Sequence, residues 1–289
     1  MDASGAKSEV IGVARFSSEG LEDSLKAQGI KTYSADLLDE NQLQRLPNVK
    51  NVLYLAGMKF GTTGKESLTW AMNSYLPGRV AEKFKDSRIV VFSTGNVYPL
   101  LPVQSGGATE KELPLPVGEY AQSCLGRERV FQYFSSKNNT PMLIYRLNYA
   151  IDVTYGVLVD IATAVKAQRP VDLRMGYVNV IWQGEANELA LRCLSHCSTP
   201  AAVLNITGPE TASVRRIAME FAKLFHVEPI FANEEQPTAL LSNAAECYRL
   251  FGPQQVTLAQ MIEVIAGWVD AGGKTLNKPT HFQEREGKF

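Results

Sequence analysis

From Glu9 to Leu147 short β-rich runs alternate with helical patterns, and this alternation constrains the fold more than any other feature of the chain. The runs VIGVARF, IKTYSA, NVLYLAG, RIVVFST and PMLIYRL are separated by helical patterns at Leu21 to Gln28, Glu40 to Leu46, Glu66 to Lys85 and Tyr120 to Phe134. Spacing of this kind predicts βαβ units with right-handed crossovers and a parallel sheet. Three of the runs are continuously apolar, as strands are when helices cover both faces of the sheet.

Beyond about Asn148 the pattern loosens. Helices are expected around Gly156 to Ala167, Glu185 to Ser195, Ser213 to Phe225, Pro237 to Leu250 and Leu258 to Val269, with short strands near Val178 to Ile181, Ala202 to Ile206 and Glu228 to Phe231. The expected organisation is a sheet domain over 9–148, a smaller lobe over 149–271 and an extended, polar tail over 272–289.

At 289 residues, 45% hydrophobic and 20% charged, the chain can bury a substantial core. Its formal net charge of -1 supplies no broad positive field, so neither nucleic acid nor an anionic membrane is an expected partner. No apolar stretch reaches the roughly 20 residues of a spanning helix, and Met1 to Ser8 lacks an apolar signal core. A cytoplasmic protein with reduced thiols is expected, since Cys124, Cys193, Cys197 and Cys247 are scattered. Cys193, His196 and Cys197 have the spacing of half a metal site, but no second pair of ligands accompanies them. They read instead as a helical stretch with buried thiols, and no metal is expected.

A nucleotide-binding α/β fold normally opens with a strand, a glycine-rich turn and a helix whose N-terminus holds the pyrophosphate. No GxxGxxG or GxGxxG turn precedes the run at Glu9 to Phe16. In a sheet of order 3-2-1-4-5-6 the strand so missed is central, between Glu9 to Phe16 and Asn51 to Gly57. Three arrangements satisfy this: an upstream segment, with Met1 an internal methionine and Met1 to Ser8 the end of a helix-to-strand connection; direct pairing of the flanking strands; or a strand from a partner. The first is the leading expectation.

Three stretches taken together resemble the extended short-chain dehydrogenase/reductase superfamily, in its NAD-dependent epimerase/dehydratase branch, over about residues 9 to 270. They are Ala35-Asp36-Leu37-Leu38-Asp39, NVLYLAG (51–57) and IVVFSTGNVYP (89–99). The resemblance implies a Rossmann-like α/β fold with a C-terminal substrate lobe. It also implies NADP or NAD as cofactor, a sugar nucleotide or small hydroxy/carbonyl substrate, and a homodimer. Asp36 and the backbone N–H of Leu37 would contact adenine, and Ala56 and Gly57 would let backbone approach the ribose. Asp39 reads equally as a helix N-cap, and Ala56-Gly57 as a strand-end turn. Asn73 falls where the family often carries a supporting Asn, and Pro77-Gly78 predicts a kink in that helix.

By the same resemblance Thr94 orients the substrate oxygen. Gly95 and Asn96 replace the acidic pair with which dehydratases supply a proton, so water loss by that route is not expected. Tyr120 matches the tyrosine of the YxxxK motif, the acid/base of the superfamily, but Cys124 stands where the lysine belongs, in the cofactor site. Bringing a phenol from pKa about 10 to near neutrality takes roughly 3 units, or about 4 kcal/mol, which a neutral thiol cannot supply. Arg127, three residues on along the same helical face, is a substitute cation or a solvated surface charge. Arg15, where NAD-selective relatives carry an acid, fits a 2'-phosphate and hence NADP, or is a surface Arg. Arg146 and Asn148 resemble the family's Arg-x-x-Asn with one residue fewer, and Gln183-Gly184-Glu185 replaces its usual Asp. AsnIleThrGlyPro (205–209) and a helix capped by Ser213 resemble the family's substrate lobe. The function expected is an epimerase/dehydratase-like oxidoreductase of impaired activity; the alternative is a noncatalytic relative that binds a nucleotide or a protein.

Overall fold

The computed structural model describes residues 9–59 and 61–287. The reading of Met1 to Ser8 as a connection lies outside the described residues. Strands β1 (Ile11–Ala14), β2 (Lys31–Ser34), β3 (Asn51–Tyr54), β4 (Arg88–Thr94), β5 (Met142–Leu147) and β6 (Ala202–Ile206) alternate with helices α1 (Leu21–Ala27), α2 (Glu40–Gln44), α3 (Glu66–Trp70), α4 (Leu76–Lys83) and α5 (Gly118–Asn138). The second half carries α6 (Val157–Lys166), α7 (Gln183–Arg192), α8 (Val214–Phe225), α9 (Ala245–Phe251) and α10 (Leu258–Asp270), separated by two-residue strands.

β6, β5, β4 and β3 form one parallel sheet in that order. Its central strands are apolar on both faces over 89–92 and 142–145 because those faces meet different layers. Ile89, Val91, Met142 and Ile144 face Leu76, Val80 and Phe131 of α4 and α5. Val90, Leu143 and Tyr145 face Ala186 and Leu189 of α7. A further core joins α6, α8 and α10; its buried residues run from Ile151 to Phe282, with Leu100, Val103 and Tyr149 packed against it. Two of its helices, α8 and α10, start on side-chain caps: Ser213 Oγ accepts from Arg216 N at 3.3 Å, and Thr257 and Gln260 form a reciprocal capping box.

β1 and β2 pair in parallel with each other but form a sheet of their own. Direct pairing of the two strands that flank the missed position therefore does not occur: β1 is bonded only to β2, and β3 only to β4, among the described residues. Val10, Val13 and Leu55, on these two strands and just beyond their ends, remain exposed.

Two local expectations are corrected. Pro77-Gly78 does not kink the helix by breaking it. The chain stays helical from α3 through a π turn at Ala71–Tyr75 into α4, and Pro77, which has no N–H to donate, directly follows that widened turn. The helix expected over Pro237 to Leu250 is confined to Ala245–Phe251. Thr238–Ala239 is instead a strand bonded antiparallel to Leu101–Pro102, because Ala239, Leu240 and Leu241 are all buried in consecutive positions that a one-faced helix would split.

Phe131 is fully buried and its ring lies 5.0 Å from that of Tyr54, joining α5 to the edge strand β3. Phe131→Ala is expected to cost about 3–5 kcal/mol, read as a lowered urea midpoint with an unchanged slope.

Candidate functional site

The C-terminal ends of β3, β4 and β5 meet one face of α5, and helical spacing puts Tyr120, Ser123, Cys124, Arg127 and Glu128 on that buried face. The deepest layer is an ion pair. Arg146 Nε and Nη2 donate to the two oxygens of Glu128 at 2.9 and 2.6 Å, and both side chains are almost wholly buried. Ser93 Oγ donates to the same carboxylate at 2.6 Å. Arg146 Nη1 donates to Tyr98 OH at 2.6 Å, which donates to Asn205 Oδ1 at 2.9 Å. Burial works against the Arg146 charge, yet its hydrogen bonds to Glu128 outweigh that and hold its pKa above the ordinary arginine value.

Above this layer the Tyr120 phenol is in hydrogen-bond contact with the side chains of Thr94 and Cys124. Burial raises its pKa well above the ordinary phenol value, the neighbouring thiol adds to the rise, and the Arg127 charge only partly opposes it. The Cys124 thiol is itself raised by burial. Both groups therefore stay protonated near neutral pH.

Arg127 is only 7% exposed, so it is not the solvated surface charge that its GlyArgGluArg context allows. Nη1 donates to Phe92 O at 2.8 Å and Nη2 to Asn73 Oδ1 at 2.7 Å, while the guanidinium carbon lies 6.0 Å from the Tyr54 ring centroid. Among the described residues no carboxylate pairs with it, and its buried Nε and the buried Tyr54 OH have no hydrogen-bond partner there. Asn73, on the π turn, also accepts from Met58 N at 2.8 Å and donates to Met58 O and Ser123 Oγ at 3.0 Å each. It thereby clamps the loop after β3 to α5. A Cβ at Gly57 would collide with Arg127 Nη2, and one at Gly95 would stand 2.8 Å from Asn148 Oδ1, so a larger residue at either position would displace that side chain.

The remaining expected residues lie further out. Asp36 Oδ1 accepts from Leu38 N at 3.0 Å, closing its own turn, and Asp39 caps α2 by accepting from Asn41 N and Gln42 N. Leu37 and Ala56 are half-buried against the core below, and Arg15 is exposed just past the end of β1. Asn148 donates to Asn179 Oδ1 at 2.8 Å, and Glu185 holds Gln255 N, so both serve the interior of the protein. Cys197 lies against the carbonyls of Ile89 and Cys193, and His196 packs edge-on against Phe251. No group of metal-ligating side chains occurs among the described residues, nor is any helix there long and apolar enough to cross a membrane.

Sequence reasoning missed Glu128 and Tyr54. Glu128 sits inside the run Arg127-Glu128-Arg129, where charge alone signals solvent; its burial is decided by Arg146 on another element.

The residues fit a nicotinamide reaction poorly. The ammonium that would lower the Tyr120 pKa is replaced by a protonated thiol, and the available guanidinium is committed to Asn73 and Phe92 O.

No protein-family model and no curated protein sequence matches the chain. Solved structures do. A Thermotoga maritima UDP-glucose 4-epimerase with UDP-glucose aligns at TM-score 0.74 and 15% identity over 91% of each chain. A Thermus thermophilus UDP-glucose 4-epimerase in complex with NAD aligns at 0.74 and 17% over 90% of each. RMD from Pseudomonas aeruginosa complexed with NADPH aligns at 0.73 and 18% over 90% of this chain and 98% of the other. The chain has the Rossmann-like α/β fold of these proteins.

Arg146→Met is expected to lose about 3–5 kcal/mol of stability by leaving the Glu128 carboxylate buried and unpaired. Arg146→Met combined with Glu128→Gln is expected to lose clearly less than the sum of the two single changes, as measured by chemical denaturation of all three variants.

Proposed function

We propose that this protein binds a nucleotide-bearing small molecule at the carboxyl ends of β3, β4 and β5 and does not use Tyr120 as a catalytic acid/base. The observation that carries this reading is the Tyr120 phenol, buried beside Thr94 and a protonated Cys124, with its pKa raised. A general acid/base near neutrality needs the opposite shift. Support for a nucleotide comes from the likeness of fold to proteins solved with UDP-glucose, NAD and NADPH, and from the position of the site outside the carboxyl ends of parallel strands. In this reading Arg15, Asp36, Leu37, Ala56 and Gly57 border the nucleotide, the sheet domain ends near Asn148, and Arg127 acts as a packed structural cation.

One observation favours a second reading, an NADP- or NAD-dependent oxidoreductase. Arg127 is the charge that opposes the rise in the Tyr120 pKa, so a bound ligand that drew its guanidinium toward the phenol would restore part of the lost field. Tyr120 would then move the proton and Thr94 would orient the substrate oxygen; the nicotinamide would supply hydride exchange.

Fluorescence titration with NADPH and NADH, calorimetry with UDP-glucose and absorbance at the nicotinamide band separate the two. Saturable binding without turnover is expected, and Cys124→Lys is expected to lower the Tyr120 pKa by at least one unit, read by ultraviolet titration of the phenol. Native turnover that disappears in both Tyr120→Phe and Arg127→Leu would instead establish the oxidoreductase.

A further inference from the structure

After α10 the chain turns back toward the first half of the molecule. Leu276 N donates to Thr154 O at 2.9 Å, in the loop that follows β5. Thr280 donates to Asp160 Oδ2 from both its backbone N and its Oγ1, at 2.8 and 2.6 Å, and Phe282 is buried in the core of the second half. Arg285 then donates to Thr238 O and Oγ1 at 2.7 and 2.6 Å, and Thr238 is itself paired with Pro102 in the segment after β4. Gly287 ends against Val117 and Gly118 at the start of α5, so closely that a Cβ on Gly118 would overlap the backbone of Gly287 and one on Gly287 the backbone of Val117. Both glycines have positive φ, which their lack of a side chain permits.

These attachments trace the rim of the candidate site, which lies at the carboxyl ends of β3, β4 and β5 beside the first turns of α5. The tail meets the loop after β5 at Thr154, the segment after β4 through Thr238, and α5 at Gly118. Against the loop after β3 it encloses a cavity of about 240 Å³, lined by Lys59 and Gly61 from the loop and by 277–281 from the tail. Lys59 links that cavity to the floor of the site, since its charge is felt both by Asp160, where the tail is anchored, and by Cys124. Tyr120, two residues beyond Gly118, and Cys124 are both buried. Phe282 is the last buried apolar side chain among the described residues, so the stretch after it holds to the rim by the hydrogen bonds of Arg285 and the contact of Gly287. A segment attached in this way can open locally while the core that holds Phe282 stays folded.

We propose that residues 283–287 are a strap closed across the candidate site, anchored by Thr280 and Phe282 and released at Arg285 and Gly287 to give access to Tyr120 and Cys124. The strap governs entry whatever molecule the site takes, so its test needs no ligand.

Alkylation of the full chain by iodoacetamide, followed cysteine by cysteine with peptide mass spectrometry, tests this. Arg285→Ala removes the hydrogen bonds to Thr238, and Gly287→Val forces the end of the tail off Val117; both leave Thr280 and Phe282 in place. Cys124 is expected to react about tenfold faster in the double variant than in the native chain. Cys193 and Cys247, packed with α7 on the other face of the sheet, are expected to keep their native rates, which shows that the fold is retained. Hydrogen exchange over 280–287 reports release of the tail directly, and Phe282→Ala supplies a second, deeper release. If exchange over 280–287 accelerates while the Cys124 rate does not change, the tail does not cover the site and the proposal is overturned. It is equally overturned if 280–287 stays protected in every variant, since the tail is then a fixed part of the fold, or if native Cys124 already reacts as fast as in the released variants.

Discussion

The buried pair of Glu128 and Arg146 is the interaction on which the site depends. Removing two charges from water costs several kcal/mol per ion, and the cost is recovered only where geometry is good and every remaining polar site is satisfied. Here the fork of Arg146 meets both carboxylate oxygens, Ser93 supplies a further donor, and Tyr98 receives the third guanidinium nitrogen. The partners come from α5, β4, β5 and the turn after β4. A helix carrying Glu128 can satisfy them all in one rotation about its axis, so the pair fixes which face of α5 looks at the strand ends.

That rotation has an electrostatic consequence. One turn toward the N-terminus of α5 it buries Cys124, and a further turn along it buries Tyr120, each where water cannot stabilise the ionised form. The same rotation buries Arg127, whose charge is met by the dipoles of Asn73 and Phe92 O and by the Tyr54 ring rather than by a carboxylate. A cation held in this way stabilises α5 against the loop after β3 and leaves little field for the phenol. Asn73 can reach that loop because the π turn adds a residue to the helix there, and the same turn lets Pro77 enter α4 without breaking it.

Much of the sheet was legible because its signal is local. The apolar stretches 89–92 and 142–145 carry their own evidence of burial on two faces, and the strands that contain them match the sequence reading within a residue. The segment 237–250 was not legible as a strand and a short helix, since Ala239, Leu240 and Leu241 fit either period until their partners Leu101 and Pro102 are placed beside them. Thr94, Tyr120 and Cys124 could be picked out as motif positions, and the structure puts them in contact. The burial of Arg127 and Glu128 could not be picked out, because a charged run on a helix is written the same way whether it faces water or a partner on a strand 18 residues away.

The sequence by itself determined the alternation of strands and helices, the parallel sheet, the glycine at 95 in place of an acid and the thiol at 124 in place of an ammonium. These are properties of residue order and type, readable wherever periodicity and identity suffice. Only the tertiary structure decided that Arg127 is a packed cation, that Tyr120 keeps its proton and that the C-terminal segment folds back on Asp160. Each of these depends on the dielectric and the charges that distant elements bring to one point, and such distances are set by folding rather than by neighbours along the chain.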